Sequence, residues 1–429
     1  MKIEIKNCEI MQWKNGGAEF LRGSIAIGEG TIRSIGEIPK SFSPDRVIDA
    51  GGALALPGLV NAHTHVSMSL LRNLADDLEL MKWLQDKVWP IEEKMSEEDV
   101  HIGALISMVE MIHSGITAFA DMYFSMDQVA AAAAEAGLRA NIGVGLTGDG
   151  ETSKPKLQSF REFYDRYNGK ADGRIVVDLA PHAPYTCDGD CLSAAAEVAR
   201  DLGCGLHIHL AETSGEVEEC KKRYGLSPIF LAERAGLFEG RAIAAHCVHV
   251  DEADIELLAD KGVHVVHNPT SNLKLASGFA PTAAMIEAGV SLAIGTDGPA
   301  SNNNQNMLEE IHLAAILAKA VAGDPTAMPA AQALQIATEG GAKALGLAEA
   351  AGSLSEGAPA DLLLLRTDKA HMRPLHDPVA AVVYGAGPSD IDTLICDGKV
   401  IMTGGIIETL DEEEIIKKAQ EAAIRLISR

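Results

Sequence analysis

The middle of the chain repeats one pattern eight times: a short apolar segment followed by a longer stretch with helix periodicity. Segments that are apolar throughout are typical of strands buried on both faces, as in parallel sheets whose connections are helices. Eight such units predict an α/β fold, a (β/α)8 TIM-type barrel, with a doubly wound open sheet as the competing architecture. The predicted strands are 53–63, 116–123, 139–146, 174–182, 205–212, 242–250, 263–269 and 291–298.

The positions of the polar residues separate these two architectures. Nearly every predicted strand ends in histidine, aspartate or glutamate, namely His63 and His65, Asp121, His182, His209 and Glu212, His246, His267 and Asp297. In a barrel the carboxyl ends of all eight strands meet at one mouth, where the active site lies. In an open sheet the same residues would be spread along an edge, so the pattern favours the barrel.

The two ends of the chain have a different pattern from the middle. Both contain short strand-like segments bounded by Gly, Asn or Pro, and Asp397-Gly398 is a typical two-residue hairpin turn. We expect one small β-sandwich domain built from both ends. The predicted division is a discontinuous β domain at 1–56 plus 357–408, a barrel at 57–356 and an amphipathic C-terminal helix at 409–429.

The overall charge limits the classes of partner. The chain has 36 Lys and Arg against 61 Asp and Glu, a formal net charge of −25. Nucleic acids and anionic membrane surfaces attract basic proteins, so both are disfavoured as partners. The seven cysteines are scattered and form no CxxC pair, which favours a reducing compartment over a disulfide framework. We find no signal peptide or membrane span in the sequence and expect a cytoplasmic protein that binds a small molecule.

The polar strand ends contain the donors of a metal site. His63 and His65 are two residues apart and share one face of a strand, so both imidazoles can bind one ion. With His209 and Asp297 they form the nitrogen and oxygen donor set of a catalytic zinc site, which keeps a position for water. Glu212 could transfer protons beside it. Considered alone, Asp297 could also be the N-cap of a helix. Considered alone, Glu212 is better explained as a solvated residue at the start of a helix.

Three further features have simpler interpretations. His207 precedes His209 by two residues and is predicted to pack inside the barrel, and His249 to be structural. Residues 143–148 (GVGLTG) match the GxGxxG pattern of dinucleotide-binding loops after a strand. No clear helix follows directly, as that motif requires, so a dehydrogenase is disfavoured.

Seven motifs in the same order resemble one family. The sequence is similar to the amidohydrolase superfamily, and more narrowly to the 5-methylthioadenosine/S-adenosylhomocysteine deaminases and their 5′-deoxyadenosine-deaminating relatives. The resemblance runs from about residue 1 to 408 and implies a (β/α)8 barrel with a small β domain from both termini. The motifs are PGLVNAHTHVSMSLLRNLADDL, VWPIEEKM, PHAPYTC, HLAET, AAHCVHV, HNPTSNLKLASG and GTDGPASNN.

The resemblance also implies a role for each motif residue. It makes His63, His65, His209 and Asp297 the ligands of one divalent metal ion, usually zinc. It makes Glu212 the acid and base beside the purine, and His246 the residue that orients the metal-bound hydroxide, with Asp297 taking the proton from water. The implied substrate contacts are Glu92 at the ribose diol, His182, Trp83 and Ser301, together with Glu212 and Asp297. A homo-oligomer is also implied.

One departure from the family concerns the substrate's 5′ side. Members that accept S-adenosylhomocysteine have an arginine on the third strand, where this chain has Val144. A second family arginine, in the following loop, is also missing, and only Lys154 or Lys156 could replace it. A lysine lacks the bidentate geometry of a guanidinium. We therefore predict deamination of adenosine-type nucleosides with a preference for neutral 5′ groups.

Two alternatives remain open at this point. The same metal set serves guanine deaminases and s-triazine or other aminohydrolases. A non-catalytic barrel acting as an interaction protein is the other alternative, and the complete set of predicted catalytic residues argues against it.

Overall fold

The computed structural model describes residues 1–14 and 16–429, which form two sheets and the helices around them. The first sheet has nine strands and draws on both ends of the chain. The second has eight strands in sequential order. Strands β1–β5 are Lys2–Lys14, Gly17–Gly28, Thr31–Gly36, Arg46–Asp49 and Leu54–Pro57, and β14–β17 are Leu362–Leu365, Ile391–Cys396, Lys399–Thr403 and Ile406–Ile407. The eight between them are β6 (Leu59–Thr64), β7 (Ile116–Tyr123), β8 (Arg139–Leu146), β9 (Ile175–Pro181), β10 (Leu206–Leu210), β11 (Ala242–His246), β12 (His264–His267) and β13 (Ser291–Ile294).

The eight-stranded sheet is the predicted barrel. Each of its strands pairs in parallel with the next, from β6 to β13. The first and last strands also meet, because the backbone N–H of Asp297 donates to the carbonyl oxygen of His63 at 3.0 Å. The predicted (β/α)8 class is confirmed, and the open sheet is excluded.

The nine-stranded sheet joins the two ends of the chain. Strand β5 pairs with β1 on one side and with β14 on the other, so the C-terminal strands continue the sheet begun by the N-terminal ones. Asp397 and Gly398 link β15 to β16 with φ values of 52° and 66°. Two positive φ values are those of a type I′ hairpin turn. The β unit built from both chain ends is therefore confirmed.

One predicted strand, 53–63, is in fact two strands. Leu54–Pro57 belongs to the nine-stranded sheet and Leu59–Thr64 to the barrel, with Gly58 alone between them. A Cβ atom on Gly58 would lie 2.1 Å from Oγ1 of Thr117, so only glycine fits this crossing. The apolar run is continuous because both strands are buried, and a change of sheet leaves no mark in such a pattern.

Helices cover the outside of the barrel. They are Leu80–Trp83 (α1), Trp89–Glu92 (α2), Glu97–His113 (α3), Met126–Ala136 (α4), Ser153–Tyr167 (α5), Gly189–Leu202 (α6), Ser214–Tyr224 (α7), Pro228–Arg234 (α8), Glu252–Asp260 (α9), Pro269–Lys274 (α10), Thr282–Glu287 (α11), Met307–Ala322 (α12), Ala330–Gln335 (α13), Gly341–Ala344 (α14), Pro378–Gly385 (α15) and Glu412–Ser428 (α16). A π-helical segment, Leu84–Val88, joins α1 to α2. Within the described part of the chain, no helix has the length and apolar character needed to cross a membrane.

The base of the barrel, at the amino ends of its strands, is closed by two buried ion pairs. Nε of Arg139 lies 2.7 Å from Oδ2 of Asp361, which joins the barrel to the nine-stranded sheet. A terminal nitrogen of Arg241 lies 2.6 Å from Oδ1 of Asp178. Asp361 and Asp178 are buried, so each carboxylate depends on its arginine for charge neutralisation.

Candidate active site

Four side chains predicted as metal ligands meet at the mouth of the barrel. His63 and His65 come from the end of β6, His209 from β10, and Asp297 from just after β13. Nε2 of His63 and Nε2 of His65 lie 3.5 and 3.3 Å from Oδ1 of Asp297. Nε2 of His209 lies 3.3 Å from Nε2 of His65. Three imidazole nitrogens and one carboxylate oxygen therefore face one small volume.

Backbone carbonyls fix the orientation of two of these imidazoles. Nδ1 of His65 lies 2.6 Å from the carbonyl oxygen of Met122, and Nδ1 of His209 lies 2.8 Å from that of His182. A carbonyl only accepts, so Nδ1 carries the proton in both rings. Each Nε2 is then directed at the site, which is how hydrogen bonds outside a metal site orient histidine ligands.

His63 has the clearest features of a metal ligand. Its ring is fully buried, with Nδ1 at 2.8 Å from Nε2 of His207, while its own Nε2 has no hydrogen-bond partner. Burial lowers the pKa of His63 to about 4, so the ring is neutral, as metal ligation requires. His63, His65 and Asp297 satisfy the geometry of a metal-binding triad, as do His63, His209 and His246. The residues present therefore fit a divalent ion.

Asp297 is fixed from its other side. Its Oδ2 accepts hydrogen bonds from the hydroxyls of Ser271 at 2.6 Å and Ser301 at 3.0 Å. Burial raises the pKa of Asp297, but the neighbouring imidazoles of His63 and His65 outweigh it and hold that pKa well below the usual value. The carboxylate is therefore ionised and oriented in advance.

The backbone is strained where these strands end. Ala211, His246, Cys247 and Asp297 have φ values of 52°, 74°, 47° and 61°, in the left-handed region that non-glycine residues rarely adopt. Such conformations persist only where surrounding contacts determine them, and they cluster at functional sites. The strain allows these side chains to leave the strand direction and turn towards the mouth.

Glu212 and His246 lie beside the four predicted ligands. Nε2 of His246 is 3.8 Å from Oε2 of Glu212, and its Nδ1 lies 2.8 Å from Oδ1 of Asn272. The Ser277 hydroxyl donates to Oε1 of Glu212 at 3.3 Å. Burial raises the pKa of Glu212, and a raised pKa favours a carboxyl group that acts as a general acid.

A cavity of about 460 Å³ opens above these groups. This volume is within the usual range for small-molecule sites. Nine of the ten predicted site residues line it, and His63 lies behind them. The nine are His65, Trp83, Glu92, His182, His209, Glu212, His246, Asp297 and Ser301.

Two of the predicted substrate contacts are oriented by neighbouring hydroxyls. The Tyr123 hydroxyl donates to Oε1 of Glu92 at 2.5 Å, and burial raises the pKa of Glu92. Nδ1 of His182 lies 2.8 Å from the Thr186 hydroxyl. The second carboxylate oxygen of Glu92 and Nε2 of His182 remain available to a ligand in the cavity.

The outer wall of the cavity comes from the helical segment at residues 80–92. Trp83, Leu84, Val88 and Trp89 line the cavity from this segment. Because α1 continues through the π-helical segment into α2, this one element supplies both the apolar wall and Glu92. The wall is suited to a flat or apolar part of a ligand, and the histidine-rich floor to a polar one.

The two lysines considered as arginine replacements lie in different places. Lys156 lines the cavity, and its ammonium donates to the carbonyl oxygen and the hydroxyl of Thr147 at 2.6 and 3.0 Å. Lys154 instead pairs with Glu151 at 2.6 Å, where both side chains are exposed to solvent. Of the two, Lys156 is the one positioned to meet a ligand.

Sequence analysis missed several side chains that orient the site, and two of them contact predicted site residues directly. His207 was predicted to pack inside the barrel, and it does so. Its Nε2 also lies 2.8 Å from Nδ1 of His63 and thereby orients the His63 ring. Tyr123 ends a correctly predicted strand, yet its bond to Glu92 spans 31 positions and has no sequence signal. The GxGxxG match at 143–148 lies on β8 and the loop after it, and the next helix begins only at Ser153, which fits the prediction against a dinucleotide loop.

Sequence comparison relates the chain to enzymes. The profile of the Amidohydrolase family matches residues 54–401. The 5-methylthioadenosine/S-adenosylhomocysteine deaminase of Moorella thermoacetica is 50% identical over 417 residues, covering 96% of this chain and 97% of that protein. The protein of the same name from Desulforudis audaxviator is 48% identical over 430 residues, covering 100% of this chain and 99% of the relative.

Structure comparison gives the same relationship. An adenosine deaminase from Xanthomonas campestris, crystallised with bound zinc, superposes with a TM-score of 0.93 at 36% identity, over 100% of this chain and 98% of that one. The atrazine chlorohydrolase TrzN from Arthrobacter aurescens, at 24% identity, a TM-score of 0.91 and coverage of 98% and 100%, shares the fold. The chain belongs to the amidohydrolase family, within the group of 5-methylthioadenosine/S-adenosylhomocysteine deaminases.

Proposed function

We propose that this protein is a metal-dependent hydrolase that deaminates the adenine ring of adenosine-type nucleosides. The substrates are 5′-methylthioadenosine, S-adenosylhomocysteine, 5′-deoxyadenosine and adenosine, and the products are the inosine analogue and ammonia. The observation that carries this proposal is the composition of the cavity. Metal donors, Glu212 and His246 form its floor, and Glu92 lies on its outer wall.

Zinc is the ion that we assign to the site. His63, His65, His209 and Asp297 would hold it, and three histidines with one carboxylate match the ligands of catalytic zinc. Support comes from the unpartnered Nε2 of His63 and from the zinc named in the Xanthomonas campestris structure. A divalent ion bound there supplies a Lewis acid that makes water a nucleophile at neutral pH.

The protein's own groups move the protons. Water attacks C6 of adenine, and Asp297 takes its proton as the C–O bond forms. Glu212 delivers a proton to N1, which neutralises the charge that develops on the ring. His246 donates a hydrogen bond to the attacking oxygen, and the 3.8 Å between its Nε2 and Oε2 of Glu212 supports a role for both groups at the same carbon. The amino group takes the proton held by Asp297, the C6–N6 bond breaks, and ammonia leaves. The remaining proton on the C6 oxygen passes to the Glu212 carboxylate, which forms the C6 carbonyl of the product and restores Glu212 for the next turnover.

The remaining predicted residues bind and orient the nucleoside. A carboxylate can accept hydrogen bonds from both ribose hydroxyls, and Glu92 has one oxygen free for them. Trp83 supports a flat apolar group, while His182 and Ser301 line the floor next to the proposed ligands. Because Lys156 is tied to Thr147 and lacks a guanidinium, we propose that neutral 5′ groups are preferred over the homocysteine adduct.

The test is ammonia release from the four nucleosides and from guanine and an s-triazine, before and after treatment with a chelator. We expect turnover of the nucleosides, with kcat/KM lowest for S-adenosylhomocysteine, and loss of turnover after chelation that added zinc restores. Turnover of guanine or the triazine alone would replace the nucleoside assignment. Activity that survives complete metal removal would contradict the metal assignment.

The proposed function also includes a cellular compartment and an oligomeric state. We propose a cytoplasmic homo-oligomer that binds no nucleic acid and no membrane. The net charge of −25 and the free thiols of all seven cysteines support this setting.

A further inference from the structure

Glu216, on the first turn of α7, makes an unusual pair of contacts. Its side chain is buried, and its two carboxylate oxygens accept hydrogen bonds from the backbone N–H groups of Ala211 and Glu212, both at 2.8 Å. In an ordinary capping box a glutamate at this position reaches only the N-cap N–H. Here the N-cap is Thr213, and Glu216 instead binds the two residues before it.

These two residues form the turn that carries Glu212 into the site. Ala211 has a φ of 52°, a conformation that costs a non-glycine residue free energy and needs contacts to hold it. The carbonyl oxygen of Ala211 accepts from the N–H groups of Val248 and His249, at 3.0 and 2.9 Å. The same turn is thus attached to the segment that follows His246.

We propose that Glu216 is a positioning residue for the deamination: its two hydrogen bonds to the turn at residues 211–212 hold Glu212 against His246. The inference rests on the proposed function of Glu212 as the proton donor to the purine. Glu216 itself touches neither substrate nor any of the four proposed metal ligands through these hydrogen bonds. Its effect on the rate should therefore pass through the turn that carries Glu212.

Glu216→Gln is the direct test, because it keeps the size of the side chain and removes one acceptor. The amide group would face a backbone N–H, which leaves two buried donors opposed. We expect kcat to fall between about 10- and 100-fold, the range for a small misplacement of a catalytic group. KM should change by less than about 3-fold, because Glu212 is only one of several proposed substrate contacts, and the zinc content should be unchanged, because Glu216 hydrogen-bonds to none of the proposed ligands.

The matched control is Glu219→Gln, which removes an exposed carboxylate from the same helix and should leave kcat unchanged. A double-mutant cycle separates positioning from general support of the fold. In the Glu212→Gln background, adding Glu216→Gln should lower kcat by less than about 3-fold. An equal loss in both backgrounds, or a Glu216→Gln enzyme with the kcat of wild type, overturns the proposal.

Ala211→Gly keeps the test decisive if Glu216→Gln does not fold. Glycine adopts positive φ without strain, so the turn can form without Glu216, but the two hydrogen bonds from Glu216 are then still needed to fix the position of Glu212. We expect Ala211→Gly with Glu216→Gln to fold and to have a lower kcat than Ala211→Gly alone, and equal kcat values would refute the inference. A wild-type protein that deaminates no nucleoside would instead refute the proposed function, so the two failures are distinguishable.

Discussion

At the base of the barrel, arginines pair with buried carboxylates, whereas at the mouth histidines and carboxylates converge without such a cation. Arg139 and Arg241 each bind an aspartate with hydrogen-bonded geometry. At the mouth, Nε2 of His63 has no partner, and Glu212 is next to a histidine rather than a lysine or arginine. Both ends belong to the same barrel. The residues at the base therefore serve the stability of the fold, and those at the mouth serve its chemistry.

The comparison shows where each kind of substitution should act. A buried ion pair that loses one partner leaves an uncompensated charge and destabilises the fold. A site whose metal-ligating atoms have no partner within the protein is organised to bind a ligand. Residues at such a site are retained although they lower the stability of the fold. Substitutions at the base should therefore change unfolding and leave catalysis intact, and substitutions at the mouth should do the reverse.

The largest effect is expected at the mouth. Asp297→Asn should lower kcat by at least about 10³-fold, because it removes both the charged ligand and the proton acceptor. Zinc content should fall with it, while the melting temperature of the metal-free protein should change by only a few degrees, since the amide oxygen can still accept from Ser271. Substantial activity in a fully folded variant would contradict the assignment.

The second-largest effect is expected at the base of the barrel. Arg139→Met leaves Asp361 buried without its partner and should lower the free energy of unfolding by about 3–5 kcal/mol, measured with urea. The kcat of the folded, metal-loaded fraction should stay within about 2-fold. Arg161→Met is the control, because the partner of Arg161, Asp201, is exposed and such pairs contribute about 1 kcal/mol or less. Equal destabilisation by both variants would remove the distinction.

A smaller effect is expected from Glu92. Glu92→Ala removes hydrogen bonds between a charged acceptor and the ribose hydroxyls and should raise KM for nucleosides about 30-fold, equivalent to ~2 kcal/mol. The kcat should change much less. Glu93→Ala removes the neighbouring exposed carboxylate and should leave KM unchanged. A KM for Glu92→Ala equal to that of wild type would exclude Glu92 from the site.

The smallest effect concerns the 5′ group. Lys156→Met should lower kcat/KM for S-adenosylhomocysteine relative to 5′-methylthioadenosine by about 3-fold, because a solvated lysine contributes less than about 1 kcal/mol to such an interaction. Lys154→Met should leave the ratio unchanged, since Lys154 pairs with Glu151 away from the cavity. A change of ratio in the Lys154 variant alone would reverse the assignment of the two lysines.

Sequence alone predicted the barrel and the residues at its mouth because the relevant signals are local. An apolar run with a terminal histidine marks both a buried strand and the end that faces the site, and β7 and β8 were predicted with the bounds that the structure has. The prediction of a single strand at 53–63 was wrong. The residues on both sides of Gly58 are buried and apolar, so the hydrophobic pattern does not show that the chain passes from one sheet to the other.

The contacts that orient the site could not be predicted in the same way. Nδ1 of His63 meets His207 across 144 positions, and Tyr123 meets Glu92 across 31. Such pairs depend on the three-dimensional arrangement of strands, which the periodicity of one segment does not encode. Glu216 had a local signal, the Thr213-x-x-Glu216 spacing of a capping box, but that spacing predicts only a helix start.

The pairing of β5 with β14 has a consequence for how the chain is made. These strands lie roughly 300 residues apart, so the N-terminal strands leave the ribosome long before their partners exist. The barrel is in effect inserted into the β unit and can begin to fold while β5 still has an unpaired edge. We expect the nine-stranded sheet to be completed only after β14 to β17 have been synthesised, so that it is completed later than the strands of the barrel.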